Sequence, residues 1–338
     1  MALLTPEDKA ILDLESPTIA GHTCKVVVLD AGSVRPEIDA LRAHVEDRLN
    51  RVPRCCECLS FDPEPAWADP APIAIDQHVR LAADGDDLSA AVAGAMSGRL
   101  DRSRPLWDLL LLPDAGDGRS ALVWRVHHAM ADGMTMMRWA SDLLWDEPPT
   151  ATPAAEVAAP PTPTSLASVV AGVARTALSL GKELRPARKA GPFGGRVGTR
   201  RQAAFAHCSL SDLRAIEHGA GNRVTVNDVV LTAVAGALRT WCERHGSALE
   251  GVRVKVPVSM HVHGPDAADL GNRDSFMFVD LPLDEPDPVE RLHAVNSETR
   301  ERKTHHDAEA VYDVLGAVEK VAHGHFELAP IVQGHGHG

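Results

Sequence analysis

The heptapeptide His127-His128-Ala129-Met130-Ala131-Asp132-Gly133 lies between two stretches of different periodicity, and that junction constrains the chain more than any other feature. Before it, Arg119 to Val126 reads as a strand; after it, the run from Met134 reads as a helix. The heptapeptide is therefore a strand-to-helix turn, a place where rigid scaffolds present reactive side chains. Residues two apart on a strand share a face, so Leu122, Trp124, Val126 and His128 are expected on one side and Val123, Arg125 and His127 on the other. His128 is thus expected on an apolar face.

A neutral imidazole can take a proton from a hydroxyl, because its ordinary pKa of about 6.5 is near neutrality and burial disfavours the charged form. That makes His128 the candidate general base. Asp132 is expected to hold the loop or orient a partner, and Gly133 to permit the angles of a tight turn. Taken alone, however, a His-His pair beside a capping aspartate reads more readily as structural.

The chain around this turn alternates strands and helices. Thr5-Pro6-Glu7-Asp8 starts a helix, with a capping hydroxyl, a first-turn proline and early acids. A buried strand is expected at Lys25–Leu29, and a helix opened by Pro36 with apolar positions Ile38, Leu41, Val45 and Leu49. Strands around Cys56–Phe61 and Ile73–Val79 precede a helix over Leu88–Leu100. Pro105-Leu106-Trp107 leads into a strand, Asp108–Leu112, that a glycine-bearing turn joins to the His128 strand as a hairpin.

Between Glu147 and Thr164 the chain becomes rich in proline, alanine and threonine, which suits a semi-rigid linker. The expected organisation is an N-terminal domain over 1–146, a linker with a basic segment over 147–200, and a second domain over 201–338. The basic segment, Lys182 to Arg201, reads either as a solvated loop or as a surface for phosphates or anionic lipid. In the second domain a strand is expected over Ala204–Leu210, then a short helix from Ser211 and a long helix starting at Thr225-Val226-Asn227-Asp228. Strands at Val252–Met260 and Ser275–Leu283 and a helix from Val289 to about Lys303 complete the pattern. The expected class is α/β.

A net charge of -13 argues against a general nucleic-acid binder. No uninterrupted apolar run is long enough to span a bilayer and the amino terminus does not read as a secretory signal, so a cytoplasmic location is expected. Cys55, Cys56 and Cys58 lack the second ligand pair of a zinc site and are expected as reduced thiols, placed by strand alternation on opposite faces. A metal site built from His127, His128 and Asp132 is disfavoured on the same alternation. The histidine-rich end, Gly334 to Gly338, reads as an unstructured terminus.

The heptapeptide matches HHxxxDG, the motif of the CoA-dependent acyltransferase superfamily. Pro105-Leu106-Trp107 before it, Asn227-Asp228-Val229-Val230-Leu231 after it, and the run from Gly271-Asn272-Arg273 through Leu281-Pro282-Leu283 to Pro288-Val289-Glu290-Arg291-Leu292 follow the order of the bacterial wax ester synthase/diacylglycerol acyltransferases. Asp8 and the Glu15-Ser16 pair are similar to that family's opening, with no role assigned. The resemblance implies two chloramphenicol-acetyltransferase-like α/β domains, the second incomplete because the chain stops before the family's usual end.

It further implies transfer of a fatty acyl group from acyl-CoA to diacylglycerol or a long-chain alcohol. His128 is then the base, with His127, Asp132 and Gly133 supporting it and Pro105, Leu106, Trp107, Asn227 and Asp228 shaping the site. Acyl-CoA is a substrate on this reading, so neither a resident cofactor nor a metal is expected. Lipid acceptors imply peripheral attachment to a membrane or lipid droplet. Three alternatives stay open: another HHxxxDG acyltransferase or condensation enzyme, an inactive lipid-binding homologue, and a truncated product without a stable second domain.

Overall fold

The computed structural model describes residues 2–30, 35–62, 64–146, 192–221, 223–259 and 274–304. Among these, two compact units separate: residues 2–146 with 197–205, and residues 192–196 and 206–259 with 274–304. The sequence-based boundary at 201 differs from this grouping by the short return segment 197–205, which packs with the first unit. The helix expected over Ser165–Leu180, the basic residues Lys182 to Lys189, the Gly271-Asn272-Arg273 motif and the histidine-rich end lie outside the described residues.

The first unit contains strands β1 (Ala2–Leu3), β2 (His22–Leu29), β3 (Leu59–Ser60), β4 (Ala66–Trp67), β5 (Val79–Leu81), β6 (Trp107–Leu112) and β7 (Ser120–His127). Its helices are α1 (Pro6–Asp13), α2 (Ile38–Glu46), α3 (Ile75–His78), α4 (Leu88–Ser97) and α5 (Gly133–Leu144). The main sheet has the order β2-β7-β6-β5, with β2, β7 and β6 antiparallel and β5 parallel to β6. A smaller sheet has the order β1-β4-β3.

Every residue of β7 is buried, so the alternation seen in the sequence separates two packed layers rather than core from solvent. On one face Leu122, Trp124 and Val126 meet Trp107, Leu109 and Leu111 of β6 and the inner side of α5, including Met136, Trp139 and Leu143. On the other, Ala121 and Val123 meet Ala91, Val92 and Ala95 of α4. Arg125 also lies on the α4 face, opposite Asp108 in the ladder. Its Nε donates to Asp108 Oδ1 at 2.8 Å, its Nη2 donates to Asp108 Oδ2, and its Nη1 donates to the carbonyls of Ala95 and Gly98 at the end of α4. A buried guanidinium is tolerated here because its hydrogen-bonding capacity is used.

The return segment closes the α4 face. Ala203 joins the cluster of Val92, Ala95 and Val123, the Arg201 backbone N–H donates to Ser97 Oγ at 3.1 Å, and the Arg201 guanidinium donates to the Thr18 carbonyl. Arg201, expected within the basic surface, is thus used as an internal tie.

Three local expectations need correction. Cys56 closes a 3-10 turn, Pro53–Cys56, and does not start a strand, because Pro53 favours a helical first position and Trp107 Nε1 donates to the Cys55 carbonyl at 2.8 Å; within Cys56–Phe61 only Leu59–Ser60 pairs as a strand. Cys55 and Cys56 are therefore not strand neighbours on opposite faces. The run Ile73–Val79 is mostly the short α3, with β5 beginning only at Val79. Ala204–Cys208 is irregular and largely exposed, since its alternation meets no pairing strand among the described residues.

The second unit contains α6 (Leu210–Ala220), α7 (Val226–Arg244), α8 (Pro288–Thr304) and the antiparallel pair β8 (Arg253–Ser259) and β9 (Asp274–Asp280). Its core brings Leu231, Ala235 and Cys242 of α7 against Val256, Met277, Val279, Leu281, Leu283 and Val295. Thr225 and Asp228 form a reciprocal capping box at the start of α7. Asp228, only 1% exposed, also accepts from Thr299 Oγ1 at 2.7 Å and Asn296 Nδ2 at 3.0 Å on α8. Burial alone would raise its pKa, but the hydrogen bonds from Thr299, Asn296 and Thr225 outweigh that and hold the carboxyl below its ordinary range.

Asp228→Ala removes the half of the capping box in which Asp228 accepts from Thr225 and takes a buried carboxylate acceptor from Thr299 and Asn296; we expect a loss of about 2–5 kcal/mol in urea unfolding followed by tryptophan fluorescence. An unchanged midpoint would contradict the bridging role.

Candidate active site

The site begins where β7 stops. His127 is the last residue of that strand, and its backbone N–H donates to the Leu106 carbonyl at 2.9 Å. Pro105, Leu106 and Trp107 are all buried, and Trp107 pairs with Val126 in the ladder. The Trp107 carbonyl accepts from His78 Nδ1 at 2.8 Å. The Pro-Leu-Trp segment thus forms the packed floor beside the histidine pair.

Strand alternation ends at His127, so it does not extend to His128. The buried histidine is His127, at 1% exposure, and His128 lies in the turn, partly exposed. That corrects the expectation of His128 on an apolar strand face. The His128 backbone N–H donates to the Gly21 carbonyl at 2.8 Å, and Met130 N–H donates to the His127 carbonyl at 2.9 Å. Ala129 N–H donates to His127 Nδ1 at 3.2 Å.

Asp132 ends the turn as the N-cap of α5. Its Oδ1 accepts from Thr135 N–H at 2.7 Å while its carbonyl accepts from Met136 N–H at 2.9 Å. A carboxylate here also complements the positive end of the helix. Gly133 is the first helical residue and does not have a positive φ, so the tight-turn requirement expected of it is absent. A Cβ at Gly133 would approach only Lys25 Nζ, at 3.9 Å.

The positive-φ glycine of the site is Gly21, with φ +63°. A Cβ there would stand 2.6 Å from His127 Nε2 and 3.0 Å from Glu15 Cγ, so a side chain is excluded both by backbone and by space. Glu15 Oε1 lies 3.2 Å from His127 Nε2, and both side chains are almost wholly buried. The other carboxylate oxygen accepts from Arg102 Nε at 2.9 Å and from its Nη2. Arg102 also donates to the Leu12 carbonyl at 2.8 Å. Burial lowers the His127 pKa to about 4, with Glu15 opposing and Arg102 and His22 adding to the fall. His127 is therefore neutral near pH 7.

Glu15, Gly21 and Arg102 are the site residues that the sequence left without roles. Glu15 and Arg102 are 87 positions apart, and no local spacing announces such a contact. Asn227 and Asp228 belong to the second unit, where Asn227 is exposed and Asp228 is committed to the α7 cap and the α8 bridge. Among the described residues, no group of three or more His, Cys, Asp or Glu side chains is arranged to hold a metal ion, and no helix is long and apolar enough to cross a membrane.

Residues 4–230 match the wax ester synthase/diacylglycerol acyltransferase catalytic domain, and residues 270–330 match the WS/DGAT C-terminal domain. A Mycobacterium tuberculosis protein provisionally named a diacylglycerol O-acyltransferase is 30% identical over 349 residues, spanning 90% of this chain and 72% of the relative. A second protein of that organism, likewise provisionally named, is 28% identical over 364 residues, spanning 94% of this chain and 76% of the relative. Among solved structures, the wax ester synthase/diacylglycerol acyltransferase of Marinobacter aquaeolei VT8 is similar with a TM-score of 0.62 at 23% identity, covering 90% of this chain and 72% of that one. The first condensation domain of the calcium-dependent antibiotic synthetase follows at 0.56 and 16%, covering 90% and 76%. These neighbours have the chloramphenicol-acetyltransferase-like α/β fold that the sequence led us to expect. The catalytic-domain match runs through all the site elements of the first unit, from Glu15 to the Asp132 cap, and covers more than half of the sequence: the chain belongs to the wax ester synthase/diacylglycerol acyltransferase family.

Proposed function

We propose that this chain is an O-acyltransferase that moves a fatty acyl group from acyl-CoA to diacylglycerol, with long-chain alcohols as further acceptors, and that His128 is its general base. The observation that carries the reading is the division of labour in the histidine pair. His127 is buried and committed to Glu15 and Ala129, whereas His128 is partly exposed on a turn anchored at both ends. The family membership and the diacylglycerol O-acyltransferase names of the relatives supply the substrate class.

On this reading the His128 imidazole accepts the acceptor's hydroxyl proton as the oxygen attacks the thioester carbonyl. A C–O bond forms and the carbonyl π pair becomes a tetrahedral oxyanion. Its collapse breaks the C–S bond, and the departing CoA thiolate takes the proton back from the imidazolium. The histidine is regenerated without a covalent enzyme intermediate. Lipid acceptors reach such a site from a membrane or lipid-droplet surface, so we infer peripheral attachment.

The fold likeness to a condensation domain keeps amine acceptors as a second reading, which the same assay separates. Purified protein is given palmitoyl-CoA with dipalmitoylglycerol, hexadecanol or an aminoacyl amide, and CoA release is followed. We expect release with the hydroxyl acceptors and a fall of about 10²- to 10⁴-fold in His128→Ala of matched folding. Release that depends on the amine alone, or that is unchanged in the variant, would sink the assignment. Gly21→Ala, which forces a methyl group against His127 and Glu15, is expected to lower stability by about 1–3 kcal/mol in urea unfolding and to reduce turnover without altering any side chain that meets substrate.

A further inference from the structure

Behind the histidine pair lies a chain of polar contacts, buried at Glu15 and His127 and half-buried at Arg102, that the acyl-transfer chemistry does not itself require. Arg102 reaches Glu15 from the segment before β6, Glu15 reaches His127 from the end of α1, and His127 reaches Ala129 across the turn. The first two links join segments that are remote in sequence, and the third is local to the turn. Replacing a buried ion pair by apolar packing is often neutral or stabilising, so its presence beside a site is weakly explained by stability alone.

The protons along this chain are determined by its ends. A backbone N–H can only donate, so Ala129 requires His127 Nδ1 to be an acceptor. A neutral imidazole carries one N–H, which must then sit on Nε2, where it faces Glu15 Oε1 at 3.2 Å. The remaining carboxylate oxygen is held by Arg102, whose own position is fixed by the Leu12 carbonyl. With the proton on Nδ1 instead, Ala129 N–H would meet another N–H and the turn would lose that tie. His128 lies between the two tied residues, and its own N–H is fixed on Gly21.

We propose that Glu15 and Arg102 are positioning residues for the acyl transfer: by accepting the Nε2–H of His127, Glu15 selects the tautomer that holds Ala129, and so fixes the backbone from which His128 is presented. The kinetic part rests on the acyltransferase reading; the tautomer part does not. Glu15→Gln retains an oxygen for the Nε2–H, and the partly exposed Arg102 can turn to water. Glu15→Ala removes the acceptor altogether.

The test combines histidine ¹⁵N NMR on the full chain with steady-state kinetics. The His127 ring is assigned from the resonances lost in His127→Gln, and the NMR is recorded near pH 7. We expect a protonated Nε2 and an unprotonated Nδ1 in the wild type and in Glu15→Gln, and a mixture of tautomers in Glu15→Ala. Glu15→Ala is expected to lose about 10- to 100-fold in kcat, with the KM for palmitoyl-CoA within about twofold, and Glu15→Gln to recover most of the loss. Arg102→Ala is expected to fall between the two, and Arg102→Lys to restore it. An unchanged tautomer in Glu15→Ala, or a kcat that falls only with the folded fraction, overturns the proposal. If the wild type shows the Nε2–H tautomer but transfers no acyl group, the acyltransferase reading fails while the proton assignment survives.

Discussion

The register of the β6–β7 hairpin is the constraint on which the first unit depends. It sets Trp107 opposite Val126 and Asp108 opposite Arg125, and so determines which side chains enter each of two dry layers. A slip of one residue would exchange those faces, placing a guanidinium against Trp139 and a tryptophan against the carbonyls that end α4. The same register brings the Leu106 carbonyl to the last strand residue, His127, and thereby decides where extended structure stops and the turn begins. Stability and site geometry are consequences of one pairing.

Much of this was legible because it is local. The strand, turn and helix around residues 120–144 follow from periodicity and a capping aspartate, and the Pro-Leu-Trp segment is near in sequence to the hairpin that it floors. The capping box at Thr225 and Asp228 was visible as a polar helix start, although its bridge to Asn296 and Thr299 was not. What escaped was either remote or falsely periodic. Glu15, Gly21 and Arg102 act on His127 through space, with no spacing rule to connect them. Alternation misled at His128, where the strand has already ended, and over Ala204–Cys208, where no neighbouring strand among the described residues gives an apolar face something to cover.

The two histidines show how burial assigns roles to identical side chains. One ring is desolvated until it no longer protonates near neutrality, with Nδ1 accepting from Ala129 N–H and Nε2 standing 3.2 Å from Glu15 Oε1; the other is in the turn and partly exposed. Asp132 illustrates the same economy, since its carboxylate accepts the Thr135 backbone N–H and so caps α5. On the acyltransferase reading, the motif is one presented group and several groups that hold the backbone beneath it.

The return segment carries a consequence for synthesis on the ribosome. Ala203 and Arg201 complete the α4 face of a unit whose other described parts end at residue 146, so that layer cannot close when its own strands and helices have emerged. The nascent chain must extend by some sixty further residues, a delay of about 3–12 s at ordinary elongation rates, with Val26 and Val123 awaiting their cover. During that interval the apolar surface that Ala203 covers stays exposed, and the rate of translation through the proline-rich stretch governs how long.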